Sequence, residues 1–142
     1  MTIKEQHEEK LEIFAKIFSN TIEAIVITDL EGNILQVNDA FTTMTYYTAE
    51  EVLGQNIRLL RSYKHTESLY QTMWDTVLAN RVWQGEVWNK KKDGSLYPAL
   101  LIIHPIINRD NQISHLVAIQ HDISILKQIN SQERHEELCS ET

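Results

Sequence analysis

Few residues of this chain stand at spacings that could do chemistry. His7-Glu8-Glu9 and His135-Glu136-Glu137 each open half of a zinc-protease pattern. The second His, four residues on, is replaced by Leu11 and Cys139. Solvated helices with Glu and Lys neighbours account for both. Glu50 and Glu51 are consecutive on a helix and point apart. There is no G-x-S-x-G, no phosphate loop, no metal-spaced cluster and no nucleophile beside a base, which argues against an enzyme. Recognition chemistry is what remains. Asn89 and Gln120 carry both donors and acceptors. Strand alternation puts Gly85, Val87 and Asn89 on one face, and Leu116, Ala118 and Gln120 on one face. If those faces are the same, the two amides converge on a pocket. His121 falls on the face opposite Gln120 and reads as structural. His104, before Pro105, reads as a surface or sheet-packing residue. Trp88 faces away from the Asn89 side, as a dimer or helix-docking residue would.

The elements that must position these residues follow from pattern. Residues 85–90, 96–107 and 113–119 read as three successive strands. Asp93-Gly94 supplies the tight turn of the first hairpin. Residues 24–29 and 34–37 form an earlier hairpin around Gly32. Between the hairpins the period changes to short helices. One turn fits residues 39–44. Thr48-x-x-Glu51 is a capping box for a helix that stops at Gly54. Residues 56–63 wrap without a clear period. Thr66 caps a longer helix to about residue 80, with Leu69, Met73, Trp74, Val77 and Leu78 on its apolar face. The result is an α+β chain, five antiparallel strands with helices over one face and a pocket between them.

Helices flank this core. Residues 3–18 carry Ile3, Leu11, Phe14 and Phe18 on one stripe, suited to its own domain or to a partner. The last helix, from residue 123 to about 138, loses its stripe after Ile129, too weak for a self-standing coiled coil. At 142 residues the chain has room for one domain. A net charge of −7 argues against a nucleic-acid surface. Residues 98–107 are half the length of a membrane span, so no membrane contact is expected of this segment. The charged N-terminus does not read as a signal peptide. The single Cys139 fits a reducing compartment, and the reading is cytoplasmic.

Taken together, the residues carry a recognisable order. Thr28-Asp29-x-x-Gly32-x-Ile34-x-x-Val37-Asn38-x-Ala40-Phe41 comes first. Tyr46 and Thr48-x-Glu50-Glu51-x-Leu53-Gly54 follow, then Trp83-x-Gly85-Glu86-x-x-Asn89-x-x-Lys92-Asp93-Gly94-Ser95-x-Tyr97, and finally Asp122-Ile123-Ser124. Over residues 14–126 this resembles a PAS sensor domain. The resemblance implies a PAS fold and a sensory role, as a homodimer joined by its last helix to an output domain or partner protein. It divides the chain into an N-terminal dimerisation helix (1–19), a sensor core (20–124) and a C-terminal signalling helix and tail (125–142). It places dimer contacts at Ile3, Leu11, Phe14, Phe18 and Trp88, and signal relay at Asp122, Ile123 and Ser124. Asp122 can also cap the first amides of the last helix and could be held by Lys91 or Lys92.

The resemblance extends to cofactor. Trp74, Trp83-x-Gly85, Asn89 and Leu96-Tyr97 resemble FAD-binding sensor domains of nitrogen-fixation redox regulators. Gly54-Gln-Asn56-Ile-Arg58-Leu-Leu60, Asn89 and Gln120 resemble light-oxygen-voltage domains, which hold FMN. This implies a flavin, FAD ahead of FMN, held by Asn38, Arg58, Leu60, Trp74, Asn89 and Gln120. Ile57 stands where the light-sensing cysteine would be, which excludes adduct photochemistry, and Ala99 replaces a second ring-contacting Asn. A haem-based gas sensor is the lesser reading and would use His65 as axial ligand. A rival class keeps the core filled, binds no cofactor or other small-molecule ligand, and uses the end helices as a protein-interaction and dimerisation module.

Overall fold

The computed structural model describes residues 2–129. Helix α1, Ile3–Asn20, leads into strands β1, Ala24–Thr28, and β2, Ile34–Val37. Three helices follow, α2 (Asp39–Thr45), α3 (Ala49–Val52) and α4 (Glu67–Leu78), with a 3₁₀ turn at Ile57–Leu60 before α4. Strands β3 (Trp83–Lys90), β4 (Leu96–Ile107) and β5 (Ile113–Asp122) complete one sheet. Residues 124–129 are helical, and the rest of the expected C-terminal helix and tail, 130–142, lies outside the described residues. No helix among the described residues is long and apolar enough to cross a membrane.

The sheet order is β2-β1-β5-β4-β3, and every pair is antiparallel. The first and last strands lie side by side, so the helical segment must cross from one sheet edge to the other. It does so over one face and covers it. That inner face carries Ala24, Val26, Val87, Tyr97, Ala99, Leu101 and Ala118, packed against Phe41, Val52, Leu60, Tyr70 and Met73 from the helical side. Phe41 and Val26 are fully buried, each contributing about 1.5–3 kcal/mol relative to exposure.

Local chemistry sets the joints. The Thr48–Glu51 capping box forms, and Thr66 accepts from Leu69 N to start α4. Gly94 turns the β3–β4 hairpin at φ 89°, a conformation that favours glycine. Gly32 sits at φ 87°, and a Cβ there would meet the Trp74 ring at 3.1 Å. The turn and the close approach of α4 therefore both require glycine.

Two strands run longer than the sequence pattern indicates. β3 begins at Trp83 because the twelve-residue β4 offers Ile103 as its partner. β5 continues past Ile119 because Gln120 is paired on both sides, with Ala24 and with Leu101. Gln120 thus sits inside a central strand, not at a frayed end.

Candidate functional site

The inner faces of β3 and β5 are the same face. Val87 and Asn89 share a cavity with Leu116, Ala118 and Gln120. Leu101 and Ile103 from β4 complete the sheet wall, and Tyr70, Met73, Trp74 and Val77 from α4 form the opposite wall. The segment before α4 adds Ile57, Arg58, Leu60 and Arg61. The cavity is about 80 Å³, and about 680 Å³ of unfilled space is present when its open mouth is counted.

Its polar end is a connected group. Asn89 Nδ2 donates to Gln120 Oε1 at 3.1 Å. Tyr97 Oη donates to the same oxygen at 2.8 Å. Burial pushes the Tyr97 phenol well above its usual range, against the pull of its hydrogen bonding near Asn89. It therefore stays protonated and donates. With Gln120 Oε1 taken twice, Asn89 Oδ1 and Gln120 Nε2 are the acceptor and donor left for an occupant. Asn89 is buried because β3 is covered at its outer edge. Asn89 forms a bridge with Arg61, and Ser62 Oγ donates to Trp88 O at 2.6 Å.

Of the sequence-derived candidates, Arg58, Leu60, Trp74, Asn89 and Gln120 line this cavity. Asn38 does not. Its Oδ1 accepts from Ile25 N and Phe41 N, and its Nδ2 donates to Phe18 O and Glu23 O. All four bonds go to backbone, so Asn38 is a structural clamp that caps α2 and ties down the end of α1. His65 is also displaced from the candidate role. It does not line the cavity, and its Nε2 accepts from Trp88 N at 2.8 Å. A nitrogen engaged in that bond is not offered to an iron, so His65 is not placed as an axial ligand in this cavity. Among the described residues no group of three or more His, Cys, Asp or Glu could hold a metal ion.

At the end of β5, Asp122 Oδ1 accepts from Ser124 N at 2.9 Å, the expected cap. Lys91 and Lys92 do not hold it. Lys92 pairs with Glu51, and Lys91 lies over the Tyr46 ring. The hairpin tip leans toward α2 and α3, where Lys92 N donates to Thr45 O, and this carries both lysines away from β5. Ile123 is buried, and its N–H donates to Pro98 O of β4. Lys127 reaches back to Glu86 of β3 at 2.8 Å. Helical residues 124–129 are thereby tied to β4 at their start and to β3 one turn on.

The dimer candidates lie on surface. Ile3, Leu11 and Phe14 are 76%, 67% and 63% exposed, and α1 buries no residue. Phe18 and Trp88 are half-buried, and Lys64 lies over the Trp88 ring. Arg61 and Tyr70 are among the cavity residues that the sequence reading did not pick out. The signal for Tyr70 was present, since it precedes Trp74 by four residues on the same helical face. Arg61 had no such signal.

The matching family model, described as PAS domain, covers residues 22–124. The chain belongs to the PAS domain family. This PAS domain is 36% identical over 113 residues to the nitrogen fixation regulatory protein of Klebsiella oxytoca, which covers 80% of this chain and 23% of that protein. It therefore spans about a quarter of that relative's length. The crystal structure of a PAS domain from Colwellia psychrerythraea superimposes with a TM-score of 0.76 at 30% identity, over 81% of this chain and 98% of the other. An RNA-binding light-oxygen-voltage receptor shares the fold at a TM-score of 0.75 and 22% identity, over 89% of this chain and 38% of the other. The five-stranded antiparallel sheet with flanking helices is the PAS fold, a sensory domain of regulators and sensors.

Proposed function

We propose that this PAS domain binds a flavin, FAD ahead of FMN, between α4 and the inner sheet face, and passes its redox state to the helix that starts at Ser124. The observation that carries this reading is the pair Asn89 Nδ2 and Gln120 Oε1 at 3.1 Å inside a cavity whose walls are mostly apolar. A buried acceptor and donor beside apolar walls suit a flat heteroaromatic ring with one polar edge. Asn89 and Gln120 would meet that edge. Val87, Leu101, Leu116 and Ala118 would pack on one side, and Leu60 and Trp74 on the other. Bound flavin supplies electron or hydride acceptance.

Relay rests on two links already described. Gln120 lies two residues before Asp122 on β5, and Asn89 lies on β3 with Glu86. A change in how the amides are bonded acts on the two strands that anchor residues 122–127. The deciding measurement is an absorbance spectrum of freshly purified protein before and after dithionite. The expected result is the two-banded flavin spectrum, bleached on reduction. A featureless spectrum from protein expressed with ample flavin overturns the flavin reading.

A second reading, a cofactor-free dimerisation module, is favoured by one observation. The apolar stripe of α1 is exposed, and the outer sheet face shows Ile25, Ile27, Leu100, Ile102, Val117 and Ile119 only half-buried. Apolar surface of this kind marks interaction sites. Removing residues 1–18 should abolish a homodimer in sedimentation without altering absorbance. A dimer that survives the truncation removes α1 from the interface.

A further inference from the structure

Among the described residues, Tyr70 Oη is the one buried side-chain polar atom with no hydrogen-bond partner. Tyr70 is 7% exposed and lines the cavity. Folded proteins seldom leave such a group unmatched, because its desolvation is then uncompensated. Burial holds the phenol above its usual range, so at neutral pH it is a donor that requires an acceptor. Arg61 stands directly against it. The guanidinium carbon lies 3.9 Å from the Tyr70 ring centroid, a cation–π distance. The only carboxylate paired with Arg61 among the described residues is Glu67, at 3.8 Å and with a 91% exposed side chain. A long, solvated pair of that kind constrains the guanidinium little. The Arg61 backbone is bridged to Asn89, so its place beside the cavity is set by β3, the strand that carries Asn89.

The corner therefore presents a buried hydroxyl donor and a planar fork of N–H donors, and neither brings an acceptor. A guanidinium held against an aromatic face is suited to carboxylate or phosphate, which it binds through paired hydrogen bonds. We infer that the occupant of the cavity carries an oxyanion, a carboxylate or phosphate, bound jointly by Arg61 and Tyr70, with its apolar body against Leu101, Leu116 and Ala118. The inference rests on the reading that the cavity takes a ligand. It adds the ligand's charge and the end at which that charge docks.

The test compares probes that differ only at the anion. FMN and riboflavin are titrated by flavin fluorescence against the whole chain, alone and as Arg61→Gln, Tyr70→Phe and Arg58→Gln. Expected is FMN binding at least tenfold tighter than riboflavin. Arg61→Gln should remove that preference, and Tyr70→Phe should cut FMN affinity about fivefold or more, each weakening FMN far more than riboflavin. Tyr70→Phe deletes a hydroxyl without a protein partner, so the apo variant should melt no lower than the parent. Equal FMN and riboflavin affinities overturn the inference and leave the flavin reading standing. Loss of preference in Arg58→Gln but not in Arg61→Gln overturns the assignment to Arg61 and Tyr70. If neither flavin binds, the flavin reading falls, and thermal shift with benzoate against benzamide decides the inference. Stabilisation by benzoate alone, abolished in Arg61→Gln, upholds it, and equal or absent shifts overturn it.

Discussion

Two asparagines lie buried in this molecule, and their hydrogen-bonding capacity is spent differently. Asn38 is 3% exposed and Asn89 is 7% exposed. Asn38 spends all four of its hydrogen bonds on backbone, joining α1, β1 and α2. Asn89 spends one on another side chain, Gln120, and faces a cavity. The half of the inner face around Asn38 is closed, with Ala24, Val26, Phe41 and Val52 at 0% exposure. The half around Asn89 is open, and there Tyr70 Oη is left without a protein partner. Burial alone does not separate an amide whose capacity is spent from one with capacity left for an occupant. Saturation does, because a group whose capacity is spent on backbone has nothing left to offer an occupant.

This contrast can be broken at three points. Asn38→Ala should be the most damaging, lowering stability by about 3 kcal/mol, since it orphans several buried backbone groups and removes a helix cap. Denaturant unfolding measures it, and a loss below that of the Asn89 variant would reverse the comparison. Gln120→Leu comes next, at about 2 kcal/mol, because Tyr97 Oη and Asn89 both lose their acceptor in a buried setting. That variant should keep its circular dichroism, and, under the flavin proposal, lose flavin and with it any redox response at residues 122–129; normal signalling in it would sink the proposed relay. Asn89→Ala should cost only about 1 kcal/mol. Gln120 Oε1 still accepts from Tyr97 there, so no partner is orphaned. Flavin affinity should fall in this variant far more than stability does, a split that a purely structural Asn89 would not produce.

Much of the architecture was legible in the chain. The turn at Asp93-Gly94, the Thr48–Glu51 box and the Thr66 cap all formed as their residue types require. The convergence of Asn89 and Gln120 followed from strand alternation once the two faces proved to be one. Asn38 misled because its motif position says nothing about which backbone groups will surround it. His65 misled for the same reason, since its partner, Trp88 N, lies 23 residues away in sequence. The expected hold of Lys91 or Lys92 on Asp122 failed because the hairpin tip leans toward α2 and α3, a direction no local pattern encodes.

By itself the sequence determined the order of strands and helices, the turns that punctuate them and the side of each strand that is apolar. These depend on local backbone preferences and on periodicities of two and 3.6 residues, which a linear chain carries in full. Only the tertiary structure decided which buried polar groups are saturated and which remain available. Hydrogen-bond capacity is spent on neighbours brought close by sheet register and helix packing, as with Asn38 against Phe18 O and Tyr70 beneath Arg61. Those neighbours are set by distance in space, which sequence spacing does not record.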